Sequence, residues 1–340
     1  MRPVVSICIP TYNGERYLKE CLDSVRSQSF SDFEVLIVDD QSSDKTLEIA
    51  QDYANQDERV KVISNPVNLG LVHNWNRCIE LAQGDWIKFV FQDDLIERQC
   101  LERMLSLSKD KSLITCCSRK FIFDDKVSDS VRQYYYSLPS LKSLFPDSNL
   151  VSASVFCQEA IKQIGLNIIG EPTCVILRRS MFYKFGLFNS DLVQLCDWEF
   201  WARVISNVGF TYVDEPLATF RIHGGSTSSM NADKRWYRKD ILDPLLIAHD
   251  FALHPKYAKL RSFTLEQSSP IDIEKVLSWL AYKAKITAYK SLLNSRNSNQ
   301  SLFKEWEEIV KLYPSLAIFS NQNYFKHSIK YWLPRLTLNK

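Results

Sequence analysis

What most constrains this chain is a run of short, buried-type strands at its N-terminus, separated by helical patterns. Val4-Val5-Ser6-Ile7-Cys8-Ile9 is apolar and rich in β-branched residues, so it reads as a strand buried on both faces, with Pro10 ending it. A helix follows from about Glu15 to Gln28, with Tyr17, Leu18, Leu22 and Val25 at helical spacing. Phe33 to Val38 is a second buried strand, and Ser43 or Asp44 then caps a helix containing Leu47, Ile49 and Ala50. Val60 to Ile63 is a third strand, Val72 to Ala82 a helix stopped by Gly84, and Trp86 to Phe91 a fourth strand. Short buried strands alternating with helices predict an α/β fold with a mostly parallel sheet and right-handed crossovers.

In such sheets ligands bind beyond the carboxyl ends of the strands. That rule lines up Pro10-Thr11-Tyr12-Asn13, Asp39-Asp40, Asn65 to Gly70 and Gln92-Asp93-Asp94 along one crevice. Two acids at Asp39-Asp40 would repel in an apolar core, so they face a solvent-filled crevice or a ligand, or else they form a turn and cap. Asp93 and Asp94 are oxygen donors suited to a hard cation such as Mg²⁺ or Mn²⁺, which would bridge phosphates; the alternative is a turn before a helix from Glu97 to Leu107. Asp197 opens a helix bearing Phe200, Trp201 and Val204, where it is either an N-cap or a general base. His223 follows a strand and precedes two glycines, either as a structural residue or as a nitrogen ligand.

The middle segment, about Leu113 to Val213, is mixed. Strands are expected at Thr173 to Leu177, Phe210 to Val213 and Leu217 to Ile222, with helices at Met181 to Phe185 and Asp197 to Ile205. Beyond Lys234 helical periodicity takes over, around Val276 to Leu292 and Phe303 to Tyr313, with Asn294 to Ser301 as a polar connection. This divides the chain into residues 1–230 and a helical region, 231–340. The formal charge of +2 argues against a nucleic-acid partner. Nine cysteines, an odd number with no C-x-x-C, read as reduced thiols rather than a disulfide framework. No signal peptide or spanning segment is evident, so a cytoplasmic protein is expected. A dinucleotide fingerprint, a P-loop and a G-x-S-x-G elbow are all missing.

VSICIPTYN (Val5–Asn13), FEVLIVDDQSSD (Phe33–Asp44), NLG (Asn68–Gly70), AQGDWIKFVFQDD (Ala82–Asp94), DWEFWAR (Asp197–Arg203) and RIHGGS (Arg221–Ser226) occur in that order. As a set they resemble the inverting family 2 glycosyltransferases of the GT-A fold, over about residues 3 to 230. The resemblance implies a sugar transferred from a nucleotide-diphosphate sugar to an acceptor hydroxyl, in cell-surface glycan synthesis. It implies that Pro10, Thr11 and Tyr12 hold the base and ribose and that Asp40 accepts from the base ring N–H. Asn68, Gly70, Arg77 and Asp93 join them around the nucleotide. Asp93 and Asp94 are implied as the metal-binding acids for Mg²⁺ or Mn²⁺, with Asp94 the better direct ligand, His223 near the metal, and Asp197 as the base. Many relatives carry Arg-Asn where this chain has Trp75-Asn76, with Arg77 following, and Gln92 stands where an acid is often first in the metal motif.

Two other readings compete. A nucleotidyltransferase would be expected to show a glycine-rich basic loop after the first strand, where Pro10 to Arg16 has one glycine. A catalytically inactive sugar-nucleotide-binding protein would keep the crevice without needing Asp197. The acceptor is expected to be a glycan or a lipid-linked molecule. Near the C-terminus, Phe325, Ile329, Trp332 and Leu333 fall on one helical face beside Lys326, His327 and Lys330. Such a helix would either touch the cytoplasmic face of an anionic membrane or pack against the helix of Phe303, Trp306 and Val310.

Overall fold

Seven consecutive buried residues form β1 (Val5–Thr11), and seven more form β2 (Phe33–Asp39). Strands buried on both faces need helices on both, which the intervening sequence supplies. The computed structural model describes residues 2–108, 113–226, 229–230, 235–266, 270–293 and 297–321. The Tyr324 to Leu333 stretch lies outside them. No helix among the described residues is long and apolar enough to cross a membrane.

The other strands are β3 (Val60–Ser64), β4 (Trp86–Phe89), β5 (Leu95–Ile96), β6 (Ile114–Phe123), β7 (Leu150–Val151), β8 (Val175–Arg178) and β9 (Phe210–Ile222). They join in one sheet ordered β3-β2-β1-β4-β8-β6-β9-β5, with β7 also on β9. β3, β2, β1 and β4 are mutually parallel, as the alternating pattern predicts. β8 runs antiparallel to both β4 and β6, whereas β6 and β9 are parallel.

The crossovers are α1 (Leu18–Arg26), α2 (Thr46–Gln56) and α3 (Leu71–Leu81); α4 (Cys100–Ser108) follows β5. α1 buries Leu18, Cys21, Leu22 and Val25, one apolar stripe against the sheet. Next come α5 (Asp129–Ser137), α6 (Leu141–Leu144), α7 (Ala153–Ala160), α8 (Ser180–Phe185) and α9 (Cys196–Val208). The core beneath α9 is aromatic: Phe182 stacks on Phe200 at 4.8 Å, and Phe188 lies 4.6 Å from Phe200.

Several sequence expectations are corrected. Pro10 does not end β1, which continues to Thr11 paired with Asp39. β4 stops pairing at Cys8–Phe89, so the missing N–H of Pro10 breaks no ladder bond on that side. Gly84 does not stop α3, which ends at Leu81 with Ala82 already extended as its C-cap. Gly84 is instead a point of close approach, since a Cβ there would lie 2.5 Å from the Ser6 nitrogen. The expected strands Phe210 to Val213 and Leu217 to Ile222 are one strand, with register shifts opposite Cys117, Ser118 and Arg119. Residues 297–301, expected in a connection, begin the helix Asn297–Leu312.

Contacts divide the chain into two compact units. One is drawn from Met1–Ala153, Ile168–Ser190 and Cys196–Gly224 and holds the sheet; the other is drawn from Ser154–Asn167, Asp191–Leu195 and Gly225–Lys340. The second is helical, with Asp243–Leu253, Ala258–Leu265, Ile273–Leu293 and Asn297–Leu312 as its main helices. Within it the fully buried Asp243 carboxylate accepts from the Val193 and Leu195 N–H groups and faces the Arg238 guanidinium at 3.0 Å.

Candidate active site

The carboxyl end of β1 carries Thr11, whose hydroxyl donates to Asp39 Oδ1 at 3.2 Å. Asp39 also accepts from the Ser42 hydroxyl and N–H, so it shapes the loop after β2. Asp40 is buried, and its carboxylate gathers the segment before α3. Oδ1 accepts from Asn65 Nδ2 and the Leu69 N–H, and Oδ2 from the Gly70 N–H, all at 2.8 Å. Asn68 Nδ2 donates to the Asp40 carbonyl at 2.8 Å. Gly70 has φ +83°, a conformation that favours glycine. Thr11, Asp40, Asn68 and Gly70 are thus brought together by hydrogen bonds within one loop cluster. Three of the roughly four acceptor sites of Asp40 are filled by protein.

Tyr12 is half exposed beside this cluster, and its N–H donates to Gln92 Oε1 at 2.9 Å while Gln92 Nε2 donates to the Tyr12 carbonyl. Gln92, the position where an acid is often found, therefore clamps the loop after β1 to the loop after β4. Gly14 leaves room for that clamp, since a Cβ would lie 2.3 Å from Gln92 Oε1.

Asp93 and Asp94 have unlike surroundings. Asp94 is fully buried; Oδ2 accepts from the Thr173 hydroxyl at 2.6 Å and Oδ1 from the Arg221 N–H at 3.1 Å. Burial first, and the adjacent Asp93 charge second, push its proton affinity well above the ordinary aspartate value. Asp93 is partly exposed, and its Oδ2 lies 3.0 Å from His223 Nε2. Arg221 Nε donates to the Asp93 carbonyl at 3.0 Å, and Arg221 Nη2 pairs with Glu20 at 2.6 Å. The Tyr17 ring lies 4.8 Å from the His223 ring and beneath the Arg221 guanidinium. The carboxylate open to a cation is that of Asp93, with His223 beside it.

Asp197 lies in the first turn of α9, where Oδ1 accepts from the Trp198 N–H at 2.7 Å. Its charge acts on Arg119 of β6, which pairs with Glu171 at 3.3 Å. Burial alone would lower the proton affinity of Arg119, but Glu171, Cys174 and Asp197 around it hold it up. Glu171 in turn acts on Asp94. The base candidate and the paired acids are therefore linked through one set of charges. Arg77 is not brought to them: it pairs with Glu80 on the exposed side of α3.

Sequence reading missed Thr173, Arg119, Glu171 and the clamp at Gln92. One signal was available. Lys88 sits inside an apolar strand, fully buried, and such a lysine needs a partner. Its Nζ donates to the Thr173 carbonyl and thereby fixes the hydroxyl that supports Asp94.

Comparison with known proteins agrees with this architecture. The family model for glycosyl transferase family 2 matches residues 6–186. An uncharacterised protein of Mycobacterium tuberculosis is 30% identical over 242 residues, covering 71% of this chain and 73% of its own. Among solved structures, S. aureus TarS in complex with UDP-GlcNAc superposes with a TM-score of 0.60 at 20% identity, over 92% of this chain and 81% of that one. The mannosyltransferase PcManGT from Pyrobaculum calidifontis, in complex with GDP-Man and Mn²⁺, superposes with a TM-score of 0.55 at 15% identity, over 94% and 84%. These two likenesses show the shared GT-A fold.

Proposed function

Since the chain belongs to glycosyl transferase family 2 and is a glycosyltransferase, we propose that it moves a sugar from a nucleotide-diphosphate sugar to an acceptor hydroxyl with inversion of the anomeric centre. The observation that carries this reading is the polar cluster at the carboxyl ends of β1, β2 and β4, where the loop held by Asp40 and the loop bearing Asp93, beside His223, are joined through the Tyr12–Gln92 clamp. Thr11, Tyr12 and the loop held by Asp40, including Asn68 and Gly70, would receive the base and ribose.

Asp93 and His223 fit a divalent cation. Mg²⁺ is commonly held by one or two protein carboxylates plus substrate phosphates, and one carboxylate and one imidazole stand together here. When bound, Mg²⁺ or Mn²⁺ supplies charge neutralisation for the departing diphosphate. Asp94, closed off by Thr173 and Arg221, would fix the turn that presents Asp93. Asp197 takes the proton of the acceptor hydroxyl as that oxygen bonds to the anomeric carbon. The bond from that carbon to the diphosphate oxygen breaks on the opposite face, and a nucleoside diphosphate leaves. One displacement inverts configuration, and no protein nucleophile is required.

The test combines binding and turnover. Purified protein is screened with UDP-GlcNAc and GDP-Man plus Mn²⁺ for thermal stabilisation and then for transfer, and the product's anomeric configuration is assigned by NMR. Asp197→Asn should retain donor binding while kcat falls about 10²–10⁴-fold, the usual contribution of a positioned base. A product with the donor's configuration, or full turnover by Asp197→Asn, would contradict the mechanism.

A further inference from the structure

Tyr17, one of the apolar positions of the first helical stripe, stands immediately before α1 and is 8% exposed. The His223 imidazole lies 4.8 Å from its ring at an interplanar angle of 59°. The Arg221 guanidinium lies 4.5 Å from the ring centroid, and that of Arg16 4.7 Å. Arg221 in turn donates from Nε to the Asp93 carbonyl. One ring therefore meets His223 directly and Asp93 through a single intermediate, so both candidate cation ligands rest on it. The ring is itself fixed. Its hydroxyl donates to both carboxylate oxygens of Asp124 at 2.9 Å, and Arg16 pairs with Asp124 at 3.1 Å. The Asp124 N–H donates to the carbonyl of Ile222, the neighbour of His223 in the chain, at 3.0 Å.

Resting on the reading of Asp93 and His223 as a cation site, we propose that Tyr17 is a positioning residue, whose ring, pinned by Asp124, holds the His223 imidazole toward Asp93 for a shared divalent cation. A metal-ligating imidazole is usually oriented by a hydrogen bond from its other ring nitrogen. His223 Nε2 faces Asp93, and among the described residues its Nδ1 has no hydrogen-bond partner. Orientation about the Cβ–Cγ bond therefore falls to packing, and the aromatic ring that lies against the imidazole is that of Tyr17. Aromatic pairs at this separation favour tilted geometries over face-to-face ones, and a guanidinium is attracted to the negative face of a tyrosine ring. The ring thus constrains both neighbours without using a donor or acceptor that a cation would need. Two other roles fit less well. At 8% exposure Tyr17 has no face to stack on a nucleotide base, unlike the half-exposed Tyr12. As a mere core filler it would be replaceable by leucine, which has no aromatic face for an imidazole or a guanidinium.

The test is Mn²⁺ binding rather than turnover. Mn²⁺ is titrated into the full chain, alone and with UDP or GDP, and the free ion is counted by electron paramagnetic resonance. Wild type, Tyr17→Leu, Tyr17→Phe, Asp124→Ala and His223→Ala are compared at a temperature where circular dichroism shows them folded. Tyr17→Leu should weaken Mn²⁺ binding about tenfold, the lower end of the usual effect of a residue that supports a metal ligand, and approach His223→Ala. Tyr17→Phe, which keeps the ring, should recover most of the loss. Asp124→Ala, which frees the ring, should fall between the two, and it decides the matter if Tyr17→Leu does not fold. Undiminished binding in Tyr17→Leu, in Asp124→Ala or in His223→Ala would overturn the proposal, as would an equal loss in Tyr17→Phe and Tyr17→Leu. A wild type that binds no Mn²⁺ would remove the cation reading as well, whereas wild-type binding that Tyr17→Leu leaves intact removes this proposal alone.

Discussion

At the scale of single residues, two adjacent aspartates divide their work by exposure. Asp93 reaches His223, and Asp94 is enclosed by Thr173 and Arg221. The two should fail differently when truncated. Asp93→Ala is expected to lose metal-dependent nucleotide binding by calorimetry and most turnover, while its melting temperature stays near wild type. Asp94→Ala is expected to lose stability as well, by about 1–3 kcal/mol, because the Thr173 hydroxyl and Arg221 N–H are left without their acceptor. Equal melting temperatures for the two variants would refute this division. Sequence reading found both acids, because paired carboxylates at a strand end are visible in a string of letters. It could not rank them, because the groups that close off Asp94 lie 79 and 127 positions further along the chain.

At the scale of elements, the sheet is tied together by polar contacts as well as by apolar burial. Glu34 of β2 is buried, accepts from Ser6 at 2.6 Å and from the Gln83 N–H at 2.8 Å, and pairs with Lys61 of β3 at 2.9 Å. Burial alone would raise its proton affinity, but these donors outweigh burial and hold the carboxyl below the ordinary glutamate value. A depressed folded-state value means that the stabilisation is fully present above the unfolded value, roughly pH 4.3, and is lost as pH falls through the folded one. Glu34→Gln should therefore cost about 1–3 kcal/mol at pH 7 in denaturant unfolding. The gap to wild type should close as the medium is taken below about pH 4. A gap independent of pH would contradict the assignment. Gly84→Ala is a second element-scale test: its Cβ would meet the backbone of Val5 and Ser6, so a loss of about 1–3 kcal/mol is expected. The four parallel strands were legible because buried runs and helical stripes alternate in sequence. The strand expected at Thr173 to Leu177 is β8, but its antiparallel place between β4 and β6 and the continuity of β9 were not legible, because neither an antiparallel insertion nor a bulge near Pro216 leaves a periodic signal.

At the scale of the whole molecule, the cysteines tell a simple story. All nine cysteines are buried, and none is in a disulfide. Ellman's reagent should react slowly with the native protein and release nine equivalents in denaturant; fewer than nine would reveal a disulfide. The second unit was legible as helical, from its periodicity beyond Lys234. Its inclusion of residues 154–167 and 191–195 was not, because capture of a short loop by a buried Asp243 depends on geometry that no local pattern encodes.

β9 sits between β6 and β5 in the sheet, yet among the described residues it is the last strand to leave the ribosome. On a growing chain, β1 to β4 can pair through local crossovers as soon as they emerge. Asp93 and Asp94 then wait more than a hundred residues for Arg221 and His223. Until β9 inserts, the nascent protein carries two neighbouring acids with neither of those partners, and β6 keeps an open edge. Pairing over such sequence distances is slow, because loop closure precedes any gain from contact. The part of the site built by β1, β2 and the loop before α3 can thus take shape during translation, while the part around Asp93 and His223 is completed only when β9 arrives.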